Sequence, residues 1–386
     1  MNAPKDFKKL ARNIKLNHHN QALPKLRTSL SPLHSSKNSP HSSSPKIVNS
    51  KRSMSSDKFP GLKHSGSGTK SIGSNFGSGR TSTRSCGVVK AYAVNSYPGK
   101  HHHQDRVSII MNVQSPSTVP EENWPKSSYF ALFDGHCGKG CAEYLKSNLS
   151  QLIFKDSNFP FSTKKAISAG FLKADQEFME LAKNEGDMSG SSAVVALIIG
   201  NKCFVAGTGD SRAIISVSKG KTVIVLNDEH RPSVPKEYDR VIRAGGKVYN
   251  EYVINEKGEE EALGPLFVNP GKLRVSRAIG DVDAKDLEYG GNPEVIICDP
   301  DVKSFKIKPD QNFILLGSAP MFERFSNREI VEIVLRHIES GNQSVNCSLQ
   351  SAIEEIFAEC VSRGCQENMT IIIIALKSIK KTVKPE

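Results

Sequence analysis

The chain has 386 residues, of which 37% are hydrophobic and 24% are charged, and its formal net charge is +12. This length and composition fit a globular protein that buries a sizeable core. No apolar run approaches the roughly 18–20 residues that a membrane helix needs, and no secretory signal opens the chain. We therefore expect an intracellular protein, cytoplasmic or nuclear.

The positive charge is concentrated in residues 1–85. This segment holds 16 Lys and Arg against two acids, a net charge of +14, so the remainder of the chain stands at −2. Its 19 serines and few aromatics bury too little apolar surface to offset the entropy of ordering. We predict a disordered basic tail over 1–85 ahead of one folded domain over 86–380. Such a tail could tether the domain to nucleic acid or to an anionic membrane.

From residue 87 onward, the sequence predicts blocks of several strands separated by helices. Apolar runs predict strands near 88–95, 106–112, 128–133, 191–199, 202–207, 211–216, 221–226, 313–317 and 368–376. Helical periodicity predicts helices near 137–153, 161–184, 234–244, 327–339 and 347–362. Ser162 or Thr163 has the chemistry to cap the second helix, and Ser326 with Glu329 forms a capping box before the fourth. Without regular strand–helix alternation or a GxGxxG motif, the pattern favours a layered α+β domain.

The cysteines and histidines give little support for a transition-metal site. None of the eight cysteines forms a CxxC pair, which is typical of reduced thiols in the cytosol or nucleus. Cys137 and Cys141 are one helical turn apart, but no second pair lies at a matching spacing, so we do not expect structural zinc. His101, His102 and His103 are adjacent in a polar loop, and three consecutive side chains cannot all face one ion.

Asp134-Gly135-His136 is the sharpest local motif. It follows the apolar run Tyr129–Phe133 and precedes a predicted helix. A carboxylate at the end of a strand, beside a glycine that allows close backbone approach, can offer two oxygens to a hard cation. In an isolated motif Asp134 could equally cap the helix, with His136 on the surface. The residues of this motif alone leave both interpretations open.

Further segments along the chain identify a family. In the same order, they resemble motifs of the type-2C (PPM) metal-dependent protein serine/threonine phosphatases: FALFDGHCGKGCAEYL, SGSSAVVALI, CFVAGTGDSRAII, NDEHRPSVPKEYDRVIRAGGKV, LRVSRAIGDVDAK, NPEV, FILLGSAPMFERFSNREIVEIV and QENMTIIII. The resemblance covers about residues 87–377. It implies a four-layer α-β-β-α sandwich with two central antiparallel sheets. It also implies hydrolysis of phosphoserine and phosphothreonine by two Mg²⁺ or Mn²⁺ ions that activate a bridging water.

Several residues match functional positions of the family. The resemblance makes Asp134 the bridging metal ligand, the Gly135 carbonyl a neighbouring ligand and His136 the general acid. Asp105 matches the acidic position of the first strand, after Gln104, where many members have Glu. Asp210 matches a residue near an accessory metal. Hard oxygen ligands of this kind suit Mg²⁺ and Mn²⁺.

Other positions depart from the family pattern. Where the family has Ser-Asp-Gly, this chain has Ser-Ala319-Pro320, so a ligand carboxylate is missing and proline restricts the loop, which we expect to be rebuilt. Glu367 replaces a ligand aspartate and places its carboxylate about one C–C bond further out. Phe-Glu323 replaces Trp-Asp. The phosphate-binding arginine has no clear match, and Lys100, the nearest cation, lacks the bidentate fork. We expect one weakly bound ion rather than two.

These departures lead to three hypotheses. The first is a pseudophosphatase that binds phosphoproteins or a partner protein in signalling without turning them over. The second is a slow but active phosphatase, in which Glu367 and a neighbouring carboxylate such as Glu323 replace the lost ligand. The third assigns the main function to the basic tail, through a salt-sensitive contact with nucleic acid or an anionic membrane.

Overall fold

A computed structural model of the protein describes residues 80–82, 86–100, 103–116, 119–254, 260–340 and 343–379. The rest of the predicted tail lies outside these ranges, as do His101 and His102, so the disorder of the tail stays a prediction. Residues 80–82, inside that predicted tail, form a strand. None of the described helices is both long and apolar enough to cross a membrane.

The described residues form fourteen strands, seven α-helices and two short 3-10 helices. The strands are β1 Arg80–Ser82, β2 Val89–Tyr97, β3 Arg106–Ile110, β4 Ser127–His136, β5 Gly190–Ile199, β6 Lys202–Thr208, β7 Arg212–Val217, β8 Thr222–Val225, β9 Lys247–Ile254, β10 Glu260–Asn269, β11 Ile279–Gly280, β12 Asp301–Lys306, β13 Gln311–Gly317 and β14 Met369–Leu376. The α-helices are α1 Gly140–Phe154, α2 Thr163–Glu185, α3 Pro235–Arg243, α4 Val282–Lys285, α5 Ala319–Arg324, α6 Asn327–Glu339 and α7 Val345–Ser362, and the 3-10 helices are Glu121–Asn123 and Leu287–Tyr289.

The predicted elements all have counterparts, usually within two residues at each end. The structure adds elements that the sequence patterns did not predict, chiefly the β9–β10 hairpin, β12 and α5. The capping box is confirmed, because the Glu329 N–H donates to Ser326 Oγ and the Ser326 N–H donates to Glu329 Oε2. The prediction for α2 was wrong in its chemistry. Ser162 occupies the N-cap position without a side-chain capping bond, and Thr163 Oγ1 donates instead to Pro160 O.

Two antiparallel sheets form the centre of the domain. The first has the strand order β1-β2-β14-β13-β7-β8, and the second has β12-β6-β5-β4-β3, with β11 added beside β5. The β9–β10 hairpin forms a separate two-stranded sheet. Neighbouring strands in these sheets pair antiparallel, and short connections of the kind that such pairing allows join β5 to β6 and β7 to β8.

Alternating side chains of the central strands divide the core into layers. In β13, Ile314 and Leu316 pack between the two sheets, while Phe313 and Leu315 face α6 and α7 on the outside. Helices α1 and α2 cover the outer face of the second sheet in the same way. Both faces of these strands are therefore buried, and each fully buried large apolar side chain stabilises the fold by roughly 1.5–3 kcal/mol. The fold is the four-layer α-β-β-α sandwich that the family resemblance implied.

Candidate metal centre

The Asp134-Gly135-His136 motif lies within a strand. β4 continues through His136, and α1 begins only at Gly140, so Asp134 does not cap this helix. In the register with β5, Asp134 is opposite Ser192 and His136 is opposite Gly190. The rigid β4–β5 pair thus fixes where the carboxylate and the imidazole lie.

Two acidic side chains contribute to the site, of which Asp105 is buried and Asp134 is half-buried. Burial raises the pKa of Asp105 to about 6, against hydrogen bonds that lower it, and Asn368 Nδ2 donates to Asp105 Oδ1. The pKa of Asp134 is raised well above its ordinary value, first by burial and then by the negative charges of Asp105 and Asp210. Carboxylates that repel one another in a buried place are an arrangement that a bound cation would stabilise.

Close packing at Gly135 brings the residues just before β3 to the motif. A Cβ on Gly135 would lie 2.8 Å from Gln104 O, so only glycine allows this approach. Gln104 lines the cleft beside the motif, whereas Asp105 is 1% exposed behind it. The carbonyl dipole of the Gln104 peptide is thus held next to the backbone of the motif.

His136 is paired with a second aspartate. Its Nε2 lies 2.7 Å from Asp281 Oδ1, and Asp281 is buried immediately after β11. Burial lowers the His136 pKa, but the charge and hydrogen bond of Asp281, aided by Asp210, outweigh it and leave the pKa raised. A Cβ on Gly190 would lie 2.2 Å from Asp281 Oδ2, so this pairing requires glycine at that position of β5. A protonated imidazole held in this way can donate a proton to a leaving oxygen.

Ala319, one of the residues that depart from the family pattern, contacts Asp134 directly. Ala319 begins α5, and its backbone N–H donates to Asp134 Oδ2 over 3.3 Å. Pro320 occupies the first turn of this helix, where a missing N–H costs little. Residues 319–324 thus form a six-residue helix, and the rebuilding of this loop relative to the family stays a prediction. Ser318 anchors its start, because Thr370 N–H donates to Ser318 Oγ over 2.9 Å.

The remaining acids at this edge are paired with arginines. Arg274 Nη2 lies 2.8 Å from Glu323 Oε1, and Arg274 Nη1 lies 3.5 Å from Glu367 Oε1. Arg231 Nη2 lies 3.2 Å from Asp210 Oδ2, and Arg231 Nη1 lies 3.6 Å from Glu323 Oε1. Burial is the main effect on the pKa of Asp210 and raises it, whereas the charge of Arg231 lowers it. Glu323 and Glu367 thus carry counter-ions supplied by the chain.

These groups share one open cleft of about 510 Å³. Its described lining includes Asp134, Gly135, His136, Asp210, Lys272, Arg274, Ala319, Pro320, Glu323 and Glu367. Lys100 is exposed and does not contribute to that lining, although its N–H donates to Gln366 O at 2.9 Å. The phosphate-binding role of Lys100 therefore stays a prediction.

Hard divalent ions require several oxygen donors, and the cleft offers only some of them. Among the described residues, no three His, Cys, Asp or Glu side chains are grouped so that they could hold a metal ion. Asp105 offers a buried carboxylate and Asp134 a half-buried one, to which backbone carbonyls could add, and such oxygen donors fit one Mg²⁺ or Mn²⁺. Ala319 has no side-chain oxygen to add to these donors.

The soft ligands do not form a site in the described part of the chain. Cys141 is buried and its Sγ donates to Ile279 O over 3.2 Å, whereas Cys137 is exposed on the cleft. Each of the eight cysteines is a free thiol. His103 is half-buried, and its neighbours His101 and His102 lie outside the described residues.

The four-layer α-β-β-α fold defines the structural class of the domain, and the sequence comparison identifies the family within it. The family model "Protein phosphatase 2C" matches residues 99–369, and the chain belongs to this family. The family as a whole depends on Mg²⁺ or Mn²⁺.

Individual relatives agree with this assignment. The chain is 29% identical over 249 residues to "Probable protein phosphatase 2C 54" of Oryza sativa subsp. japonica, which covers 64% of this chain and 62% of the relative. It is 31% identical over 268 residues to "Probable protein phosphatase 2C T23F11.1" of Caenorhabditis elegans, which covers 67% and 68% of the two chains. The chain therefore spans less than two thirds of the rice relative's length.

A solved structure shows the same fold. The serine-threonine phosphatase 2C from Toxoplasma gondii aligns with a TM-score of 0.59 at 21% identity and covers 78% of this chain and 99% of that one. At this identity the likeness concerns the fold alone.

Sequence reasoning missed Asp281, Arg231 and Arg274. Asp281 could have been found, because it directly follows Gly280 in LRVSRAIGDVDAK, a segment that resembles a family motif. The two arginines gave no comparable signal. Their contacts depend on how the segments after β8 and β10 fold back over the cleft.

Proposed function

We propose that this protein is a catalytically impaired phosphatase of the 2C family, a pseudophosphatase that binds phosphoproteins or a partner protein in signalling. The observation that carries the proposal is the contact at position 319. Where the family pattern has a ligand carboxylate, this chain presents Asp134 with the backbone N–H of Ala319. An N–H donor cannot coordinate a hard cation, and the nearby Glu323 and Glu367 are already paired with Arg274.

The remaining residues support a single-ion site. Asp105 and Asp134 would hold one Mg²⁺ or Mn²⁺, which supplies a coordinated water of lowered pKa. His136, oriented by Asp281, would hold a proton beside the cleft. Without a second ion, the chain does not clamp the attacking and leaving oxygens of the phosphoryl group together. Loss of even an outer hydrogen-bond partner typically lowers metal affinity or activity 10–100-fold, and loss of a ligand should lower it more.

Phosphate release tests this proposal most directly. The purified chain is incubated with phosphoserine and phosphothreonine peptides across a Mn²⁺ series that reaches the millimolar range. The matched controls are Asp134→Ala and the double variant Asp134→Ala/His136→Ala. We expect no phosphate release above these controls. Mn²⁺-dependent turnover that both variants abolish would overturn the proposal.

A slow but active phosphatase is the second candidate. Glu323 and Glu367 line the same cleft as Asp134 and Ala319, which favours the possibility that one of them replaces the lost ligand. Metal titration by calorimetry separates the two candidates. An active enzyme should show a tight site that Asp134→Ala removes, together with turnover at the same Mn²⁺ concentration.

Restoring the family residues tests whether the correct loop has been identified. The triple variant Ala319→Asp/Pro320→Gly/Glu367→Asp adds one carboxylate, frees the loop and shortens the other acid. We expect tighter Mn²⁺ binding than in the wild-type protein, and turnover can follow. A triple variant that folds but binds Mn²⁺ no better would show that this loop is not the site of the defect.

A further inference from the structure

The edge of the cleft that departs from the family pattern contains a cationic side chain, that of Arg274. The Arg274 guanidinium reaches two carboxylates with two different nitrogens, Nη2 to Glu323 at 2.8 Å and Nη1 to Glu367 at 3.5 Å. Both acids occupy positions that differ from the family pattern, Glu367 at a ligand and Glu323 close to the missing one. One guanidinium thus joins the two oxygen donors on which a replacement metal site would depend.

Arg231 extends this contact into an alternating row of charges. It pairs with Asp210 at 3.2 Å and approaches the same Glu323 oxygen that Arg274 binds, at 3.6 Å. The row therefore runs Asp210, Arg231, Glu323, Arg274, Glu367. Side chains that share partners in a network lose less freedom per contact than isolated surface pairs, so such a row holds its geometry better than any one pair.

We propose that Arg274 takes the place of the second metal ion in this protein, as a built-in cation that neutralises Glu323 and Glu367 and excludes a divalent ion from them. The proposal rests on the proposed function, because it explains how the cleft stays electrostatically balanced without that ion. The guanidinium charge is permanent and fits carboxylates through its planar fork. A divalent ion needs the same oxygens free, so the two cations compete for one place.

Lys272 provides a matched control. It lines the same cleft and carries the same charge, but its Nζ pairs with Glu251 of the β9–β10 hairpin at 2.7 Å. Its removal changes the charge of the cleft by the same amount without releasing Glu323 or Glu367. A general electrostatic effect should therefore act through both residues, whereas direct competition for the carboxylates should act through Arg274 alone.

Mn²⁺ binding to the full-length chain and to Arg274→Gln and Lys272→Gln variants tests the proposal, measured by calorimetry with electron paramagnetic resonance as a second detector. We expect Arg274→Gln to bind Mn²⁺ beside Glu323 and Glu367 roughly tenfold more tightly than the wild-type protein, which corresponds to releasing two partly exposed ion pairs. Lys272→Gln should change the affinity less than about threefold, as expected for an exposed pair at a distance. Equal changes in both variants, or no gain in Arg274→Gln, would overturn the proposal.

Thermal unfolding gives a readout that does not depend on turnover. In EDTA, Arg274→Gln should melt below the wild-type protein, because Glu323 and Glu367 then repel each other. Added Mn²⁺ should raise its melting temperature more than that of Lys272→Gln, since a ligand stabilises the state that binds it. A melting temperature of Arg274→Gln that Mn²⁺ raises no further than the control would count against the proposal.

These outcomes separate the two ideas. Mn²⁺-dependent phosphate release by the wild-type protein refutes the proposed function whatever the variants do. An inactive wild-type protein with unchanged Mn²⁺ binding in Arg274→Gln refutes the role of Arg274 alone.

Discussion

Replacing Glu237 with glutamine should destabilise the protein strongly, although this residue lies outside the cleft. Glu237 lies in the first turn of α3, and its carboxylate is almost completely buried between two arginines. Arg277 Nη2 donates to Glu237 Oε1 over 2.6 Å, and Arg277 Nε and Ser276 Oγ donate to Oε2 over 3.1 and 2.8 Å. Arg240 adds a fourth donor at 3.2 Å. The carboxylate thus fastens α3 to the segment that leads to Asp281.

The pKa of Glu237 gives the expected magnitude. Burial raises this pKa, but the hydrogen bonds and charge of Arg277, with Ser276 and Arg240, outweigh it and lower the pKa from 4.5 to about 2. Each pKa unit corresponds to about 1.4 kcal/mol, so the ionised carboxylate stabilises the fold by about 3 kcal/mol at neutral pH. Breaking a buried ion pair by removing one partner typically costs about 3–5 kcal/mol, which agrees.

The assay follows urea unfolding of wild type, Glu237→Gln and Asp239→Asn by the fluorescence of Trp124, the single tryptophan. Trp124 is packed against Phe159, at 5.5 Å between ring centroids, and should report loss of the core. We expect a loss of about 3–4 kcal/mol for Glu237→Gln and under about 0.5 kcal/mol for the exposed Asp239→Asn.

The pH dependence provides the refuting test. The Glu237 pKa is lowered in the folded state, so its stabilisation is complete above the unfolded pKa of about 4.5 and disappears as the pH falls through about 2. The difference between wild type and Glu237→Gln should therefore shrink as the pH falls below 4.5. A loss below about 1 kcal/mol at neutral pH, or a loss that does not change with pH, would refute the reasoning.

Four further predictions concern the site, the core and the tail. Asp134→Asn should raise the melting temperature in EDTA at neutral pH, because the raised pKa of Asp134 means that its charged form is costly in the metal-free fold; a fall would contradict this. Asp281→Asn keeps a side chain that tolerates the positive φ of 62° and should lower the His136 pKa, measured by NMR titration; an unchanged pKa would show that Asp281 does not raise the pKa of His136. Phe130→Ala, at a fully buried position between the sheets, should cost about 3–5 kcal/mol by urea unfolding, and a much smaller loss would show that the site collapses around the cavity. Deleting residues 1–85 should weaken salt-sensitive binding to anionic vesicles or nucleic acid if the tail is a tether, and unchanged binding and localisation would exclude that role.

The sequence predicts the central strands well because their burial dominates their composition. Nine of the ten residues of β5 are buried, and residues 193–199 of this strand form one unbroken apolar run. The β9–β10 hairpin was missed for the opposite reason, since no residue of β9 is fully buried and the strand includes the charged Lys247 and Glu251. Helix α5 was missed because Ala319-Pro320 predicted a rebuilt loop, whereas proline is well tolerated in the first turn of a helix.

The site was only partly predictable, because the missing information is long-range. Asp134 and His136 are found from a local motif and from a family resemblance. The partner of His136 is 145 residues away, and it is brought close by the pairing of β11 with β5. The charge row through Arg231 and Arg274 joins four separate loops and helix α5. Spacing along the chain carries no signal for such contacts.

Gly190 and Gly280 face each other where β11 meets β5. At both positions an added methyl group would collide, with the Asp281 carboxyl group in one case and with Ser189 O, at 2.6 Å, in the other. The His136–Asp281 pair therefore requires glycine, which has no Cβ, at both positions. A single alanine at either position would push the strands apart and leave the imidazole without its acid, while every charged residue of the cleft remained in the sequence.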